Sequence, residues 1–550
     1  MSEQIKFDVS EGAYDNDCLL LNDDHSFVET TVKCDNTEDY LKALNDVRDV
    51  AEKLGIENTR QYLIPYLTHL IVNDKITQLK DIAEILGDFE CYVGGSKYVH
   101  ILLLPLEELA GAKQNDVQIA AIKSLQALAD IMEVSDLETY FIPLIASMTM
   151  NNKCAKRWSV CRLFTTVYMR VSPKHQGDII DYHCFLSFDS FSSVRQDAAK
   201  CLVDLCEVVN FSTFDSKIIP RLEQFSFDQN EHIRTLALTT AISISNKFDV
   251  SYIKQIILPM ILHFINDISW KIRLILLKNI AKLLTIDRSC LNLTEIILQI
   301  LIVLTKDKQL EVRLQSIHIL YDCTVVLFQN LTDLKAILLV TEFLIPALHN
   351  LSQDSEVTCK LEVPAVLAKF NKLIPDKLIK DYFVNFVKQL LNDTNVDVVF
   401  NVIKYMKDIL GPQYSNLIVL PEYRLICCLK AFIVNDSWEI RKIGAIYLGI
   451  LAIQKGIQFF EEYLEQSFLI LLTDTKSTVQ ETTMDVFILL VTEFGMDWAQ
   501  TYIVPYLINL SYSTNTYNKM AFLSFAKVCA TMMCTKFRAL NVNIRESEVK

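Results

Sequence analysis

The sequence repeats itself about every 40 residues, and no other feature narrows its possible folds as far. Aligned on short aliphatic-Arg pairs such as Ile272-Arg273 in DISWKIR and Ile440-Arg441 in NDSWEIR, equivalent positions fall at Gln78, Val117, Lys156, Val194, Ile233, Ile272, Val312, Val357, Val398, Ile440, Val479 and Asn518. The steps run from 38 to 45 residues, and a looser copy at 39–54 brings the total to thirteen units. A unit of this length cannot bury its apolar face alone and must stack on its neighbours.

Each unit reads as two helices. The first often holds an aliphatic-Pro-x-aliphatic core, around Pro65, Pro105, Pro143, Pro220, Pro259, Pro346 and Pro505. Proline removes a backbone donor, so this helix should kink or restart there. In the second helix, Val194, Ala198, Cys201, Leu202, Leu205 and Val209 follow the spacing of one buried face. An Asp stands five residues before the aliphatic position at Asp189, Asp228, Asp267, Asp307, Asp393 and Asp474, placed to accept from the free amides at the start of the second helix. The Arg that follows the aliphatic residue recurs at Arg157, Arg195, Arg234, Arg273, Arg313 and Arg441. Stacked repeats would set these Arg beside the Asp of a neighbouring turn as a ladder. Gly and Pro number only 12 each in 550 residues, which fits helices on short connections. The fold class is therefore all-α, a HEAT or armadillo-type α-solenoid, a superhelix of about thirteen helical hairpins.

Chemistry leaves no comparable trace. The motifs G-x-S-x-G, H-E-x-x-H and G-x4-G-K-[ST] are missing, and VGGSKYVH (93–100) lacks the glycine spacing of a phosphate loop. The 15 Cys and nine His are dispersed, without zinc spacing, so no metal or cofactor is expected and the chain reads as a non-enzyme. A net charge of −14 works against sequence-independent nucleic-acid binding. Charge-free apolar runs such as 296–304 are about half a membrane span, so no membrane partner is expected. Residues 1–34, carrying eight acids and two bases, read as a disordered acidic tail ahead of one solenoid spanning 35–550. With no secretory leader in the acidic opening and scattered, reduced-type cysteines, the expected location is the cytoplasm, with the nucleus second.

Four stretches carry a more specific likeness: GIENTRQYLIPYL (55–67), LGDFECYVGGSKYVHILLLPLEELA (86–110), SDLETYFIPLI (135–145) and NDISWKIRL (266–274). From about Thr37 onward the chain resembles the scaffolding A subunits of protein phosphatase 2A, which are HEAT-repeat proteins. The resemblance implies a non-catalytic scaffold whose intra-repeat turns hold two other proteins. Turns of residues 35–350 would bind a regulatory (B-type) subunit, with Asp189, Arg195, Asp228, Trp270, Lys271 and Arg273 on that ridge. Turns of 351–550 would bind the phosphatase catalytic subunit, with Trp438, Glu439 and Arg441. The two Trp, at matching positions, would anchor two different partners or pack against the next turn.

Departures from the family pattern bear on these expectations. Asn152-Lys153 stands where the family usually shows an Asp-Trp pair, and Val399, Gln480 and Lys519 replace Arg. The family has about fifteen repeats against thirteen counted here, which would remove the last two turns of the catalytic-subunit ridge. The alternative is a karyopherin-like nuclear-transport protein or another HEAT-repeat adaptor. The importin-alpha version would need W-x3-N motifs, but the residues four after Trp158, Trp270, Trp438 and Trp498 are Arg162, Leu274, Lys442 and Tyr502.

Overall fold

The computed structural model describes residues 47–499, except 74–77, 287–290 and 416–421, and seven further positions at 501, 505–506, 512, 519 and 522–523. The acidic segment 1–34 and most of the unit around Asn518 lie outside the described residues. The described elements are all helical, and the chain divides into two compact units, Met1–Phe264 and Ile265–Lys550.

Within each unit, helix pairs follow one another as the 40-residue period requires. In the first, second helices such as Asn115–Ile131, Ser192–Val208 and Glu231–Ile244 alternate with first helices such as Leu103–Ala110, Pro173–Leu186 and Ile219–Ser226. The second unit continues with Trp270–Leu283, Leu310–Asn330, Val357–Phe370, Trp438–Lys455 and Ser477–Phe494 as second helices. The apolar face read in Ser192–Val208 is real: Val194, Ala198, Cys201, Leu202 and Leu205 are buried, and Val209 at its end is half-buried. The stretch Asp333–Ser352 has the length and composition of a membrane span, yet Ala336, Leu339, Val340, Leu344, Ile345, Leu348 and Leu351 are packed inside the second unit.

The proline expectation holds with one refinement. Leu137–Phe141, Phe214–Ile218, Ile253–Ile257 and Val340–Leu344 each form a single π turn, after which an α segment restarts with Pro143, Pro220, Pro259 or Pro346 in its first turn. The missing proline amide leaves a gap in the i→i−4 ladder that the wider turn absorbs. Ile379–Phe383 and Phe460–Leu464 make the same π turn ahead of Val384-Asn385 and Glu465-Gln466. The break thus belongs to the repeat, and proline is a residue that tolerates it.

VGGSKYVH is a tight turn. Gly94 and Gly95 both have φ +94° and lead into a 3-10 helix over Ser96–Leu102, and a Cβ on Gly94 would stand 2.9 Å from Ile56 Cγ2. His100 stacks on Tyr140 with ring centroids 4.1 Å apart, and Arg60 lies 3.9 Å from the Tyr98 ring centre. Both glycines supply the left-handed backbone of the turn, and Gly94 also makes room for Ile56.

One alignment position is corrected. The second helix beginning at Val357 buries Cys359, while Val357 is half-exposed. Cys359-Lys360 is therefore the equivalent of Ile272-Arg273, two residues later than the periodicity placed it. This shift brings Asp354, which had no place in the sequence pattern, to five residues before the buried position.

Candidate functional site: the ridge of intra-repeat turns

The turn between the two helices of a repeat is built by its Asp and its Arg together. The Asp carboxylate does not cap the helix; its Oδ1 accepts from the amide two residues on, closing a short turn ahead of the helix. Phe191, Asn230, Ser269, Gln309, Glu356, Asn395 and Lys476 donate in this way to Asp189, Asp228, Asp267, Asp307, Asp354, Asp393 and Asp474. Asn435 does the same for Ser437 and Asn151 for Lys153.

The Arg then works in two directions. Its Nη1 donates back to the carbonyl six residues earlier, as in Arg195 to Asp189, Arg234 to Asp228, Arg273 to Asp267 and Arg441 to Asn435. Its Nε and Nη2 grip the carboxylate of the next turn: Arg157 with Asp189, Arg195 with Asp228, Arg273 with Asp307, Arg313 with Asp354 and Arg441 with Asp474. The Nε–Oδ2 distances are 2.5–2.7 Å and the Nη2–Oδ1 distances 2.8–3.1 Å. This fork-on-fork geometry is the strongest arrangement of an Arg-carboxylate pair. Lys360 makes a single contact with Asp393 at 2.8 Å.

The substitutions have readable consequences. Gln480 keeps the backward bond, donating to the Asp474 carbonyl at 2.7 Å, and Gln118 does so to Ala112 at 2.6 Å. Val399 can make neither bond. Arg424, on the first helix of the following repeat, supplies the missing donor to the Asp393 carbonyl at 2.7 Å.

Of the residues assigned to the ridge from the sequence, Asp189, Arg195, Asp228, Arg273 and Arg441 are engaged in this ladder. Trp270 and Trp438 are each the first residue of a second helix and are half-buried. Lys271 and Glu439 follow them and are exposed, with Glu439 accepting from the Ser437 hydroxyl. The neighbouring apolar side chains are open to solvent: Ile268 is 98% exposed and Val434 72%. Cys154 occupies the place of Trp270 in the repeat around Lys156, so no aromatic ring stands at that turn's helix start.

A polar cluster that the periodicity passed over lies under the same region. Lys156 occupies an aliphatic position and is buried, its Nζ 2.9 Å from Glu107 and 2.8 Å from Glu108. Ser147 donates to Glu107 at 3.1 Å. A Cβ on Gly111 would come within 2.8 Å of Lys156 Cγ, so glycine there leaves room for the lysine stem. Two glutamates in LLPLEELA, facing a lysine where the pattern asks for an aliphatic residue, were the available signal.

Protonation sets two acid windows. Burial raises the Asp228, Asp307, Asp354, Asp393 and Asp474 carboxyls, but hydrogen bonds from Arg or Lys and from the turn amide outweigh it and hold them below the usual range. Their contribution is complete above the unfolded-state value near ~4 and is lost as pH falls below it. His183 is buried against Phe164, with Nε2 donating to the Ala198 carbonyl at 2.8 Å, and burial lowers its pKa from 6.5 to about 4. Its depressed value means the unfolded chain takes the proton first, so stability is lost from pH 6.5 down to about 4. Between pH ~7.5 and ~5 the loss should reach about 2 kcal/mol in the first unit. Thermal melts of wild type and His183→Gln across that range test this, and parallel curves would refute it.

The fold and ridge define a class: an α-solenoid of HEAT repeats whose turns are held by an Arg-Asp ladder. Among solved structures, Kap121p matches with a TM-score of 0.57 at 14% identity, over 92% of this chain and 52% of that one. Kap121p bound to Ste12p gives 0.56 at 15%, again over 92% and 52%. At such identity the likeness concerns the fold alone. No family profile matches the chain. A probable protein phosphatase PP2A regulatory subunit of Caenorhabditis elegans is 33% identical over 226 residues, 40% of this chain and 38% of the relative. The PP2A regulatory A-type subunit of Schizosaccharomyces pombe is 30% identical over 255 residues, 46% and 43% of the two chains. The beta isoform of the human 65 kDa regulatory A-type subunit is 34% identical over 179 residues, 32% and 30%. The chain is thus a HEAT-repeat relative of the A subunits of protein phosphatase 2A, matching less than half the length of each of these relatives. They are named regulatory subunits, in keeping with the expectation that this chain is not an enzyme.

Proposed function

We propose that the chain is a non-catalytic scaffold of a protein phosphatase 2A complex, holding a catalytic and a B-type regulatory subunit through its intra-repeat turns. The supporting observation is the ladder. It fixes the turn backbones through Arg and Asp, leaving Ile268, Trp270, Val434 and Trp438 on the outside of turns that cannot rearrange at low cost. Preorganised turns carrying half-exposed Trp suit protein docking, since Trp and Arg dominate interface energetics and rigid surfaces lose little entropy on binding. The mechanism is proximity: two bound proteins share one support and gain effective concentration without a covalent step. In this reading Trp270 and Lys271 meet the regulatory subunit, and Trp438 and Glu439 the catalytic subunit. The ladder residues Asp189, Arg195, Asp228, Arg273 and Arg441 present the ridge. The halves 35–350 and 351–550 are divisions by partner, and the complex works in the cytoplasm and nucleus. A karyopherin-like role is supported only by the shared fold.

Titration of the full chain with the catalytic subunit of the same organism, read by calorimetry, tests the reading. A stable one-to-one complex is expected. Trp438→Ala should weaken it by about 2 kcal/mol with the melting temperature unchanged. Failure of the wild type to bind would sink the scaffold reading, and unchanged affinity of the variant would make Trp438 a packing residue.

A further inference from the structure

The ladder consumes the charged residues that the family resemblance placed on the regulatory ridge in the first unit. Asp189 and Asp228 are gripped by Arg157 and Arg195, and their side chains are only 5% and 8% exposed. Whatever recognises this ridge meets other groups first.

Those groups are aromatic, with one cation among them. Phe188 and Phe227 each stand immediately before a ladder Asp, and they are 64% and 62% exposed. The Arg221 guanidinium lies 4.6 Å from the Phe188 ring centre, and the His263 ring is 4.2 Å from Phe227. Arg221 is held in place: its Nη1 donates to Gln224 Oε1 at 2.9 Å, and Gln224 Nε2 donates to the Ser187 carbonyl at 2.9 Å. Yet Arg221 pairs with no carboxylate among the described residues, and its Nε is buried without a hydrogen-bond partner. The nearby acid Asp181 already pairs with Lys217 at 2.9 Å. Arg157 and Arg195, the ladder guanidiniums of the adjoining turns, each hold an anion. Arg221 is positioned over an aromatic ring with none, and a partly desolvated cation in that state gains most from a carboxylate brought by a partner.

We propose that Phe188, Arg221 and Phe227 form a docking strip for a partner segment that places a carboxylate side chain beside an apolar one. The carboxylate meets Arg221, and the apolar side chain packs between the two Phe. This deepens the scaffold reading and rests on it: the regulatory subunit is the protein that carries the segment. It also moves recognition in this unit from the ladder residues to the side chains next to them.

Calorimetric titration of the full-length chain with a purified B-type regulatory subunit tests the strip, with the catalytic subunit titrated in parallel. Arg221→Glu is expected to weaken regulatory-subunit binding about tenfold or more, leaving catalytic-subunit binding unchanged. Phe227→Ser, at an exposed position where folding is not at stake, should weaken it several-fold. Wild-type affinity should fall with added salt, and Arg221→Gln should fall less steeply. If the wild type binds the regulatory subunit and neither Arg221→Glu nor Phe227→Ser changes the affinity, the strip is overturned and the scaffold reading stands. If the wild type binds the catalytic subunit but no regulatory subunit, the strip and the regulatory half of the scaffold reading fall together.

Discussion

Replacing Glu107 by alanine is expected to destabilise the first unit by about 4 kcal/mol, because it strips a buried cation of one of its two close anions. Lys156 has 4% of its side chain exposed and Glu107 9%, so water cannot take over the lost contact. Lys156→Ala should cost a similar amount, leaving Glu107 with the Ser147 hydroxyl and an empty stem channel beside Gly111. The double variant Glu107→Leu with Lys156→Met should recover most of the loss, since an apolar pair of similar volume needs no compensating charge. Urea unfolding followed by circular dichroism, with hydrogen exchange locating the loss to helices Leu103–Ala110 and Cys154–Val160, reads all three. A double variant no more stable than either single variant would refute the view that the loss comes from an uncompensated buried charge.

Asp307→Ala should cost about 3 kcal/mol, and Asp307→Asn distinctly less. The alanine variant removes the two-point grip on Arg273 and also opens the turn, since Gln309 loses its acceptor. Asparagine keeps an oxygen for Gln309 and loses only the charge, as Asn435 does naturally in its own turn. Equal losses for the two variants would show that the ion pair, and not the turn, supplies the stability. Asp307→Asn should also flatten the decline of stability below pH ~4, because one of the depressed carboxyls is gone.

Much of the architecture was readable because the repeat imposes the same demand many times. Period, helix pairing, the buried face of 192–208 and the Asp-Arg ladder all follow from one pattern seen at successive turns. What escaped is what departs from the pattern. The step across the Arg313 repeat is longer than the others, and simple periodicity placed Val357 where Cys359 belongs. Asp354 was hidden by the same shift. Arg424 stands outside the repeat grammar altogether, because it answers the absence of an Arg at Val399 from another helix. The strip at Phe188 and Phe227 was invisible for a different reason: exposed and buried Phe look alike in a sequence rich in both. Periodicity alone left open how fully the ridge charges Asp189, Arg195, Asp228, Arg273 and Arg441 are engaged by their neighbouring turns, because the two-point grip depends on side-chain geometry.

Gln118 and Gln480 show that the ladder Arg carries two separable duties. Each amide closes its own turn, as the guanidinium does, without the fork of donors that grips a neighbouring carboxylate, and the turn after Gln118 carries Asn151 in place of the ladder Asp. A solenoid made this way can loosen the join between two successive repeats while leaving the shape of either turn intact. Local stiffness along the ridge then becomes an adjustable quantity, set repeat by repeat through the choice of Arg, Lys or Gln at one position, with the outer face of each turn unaltered.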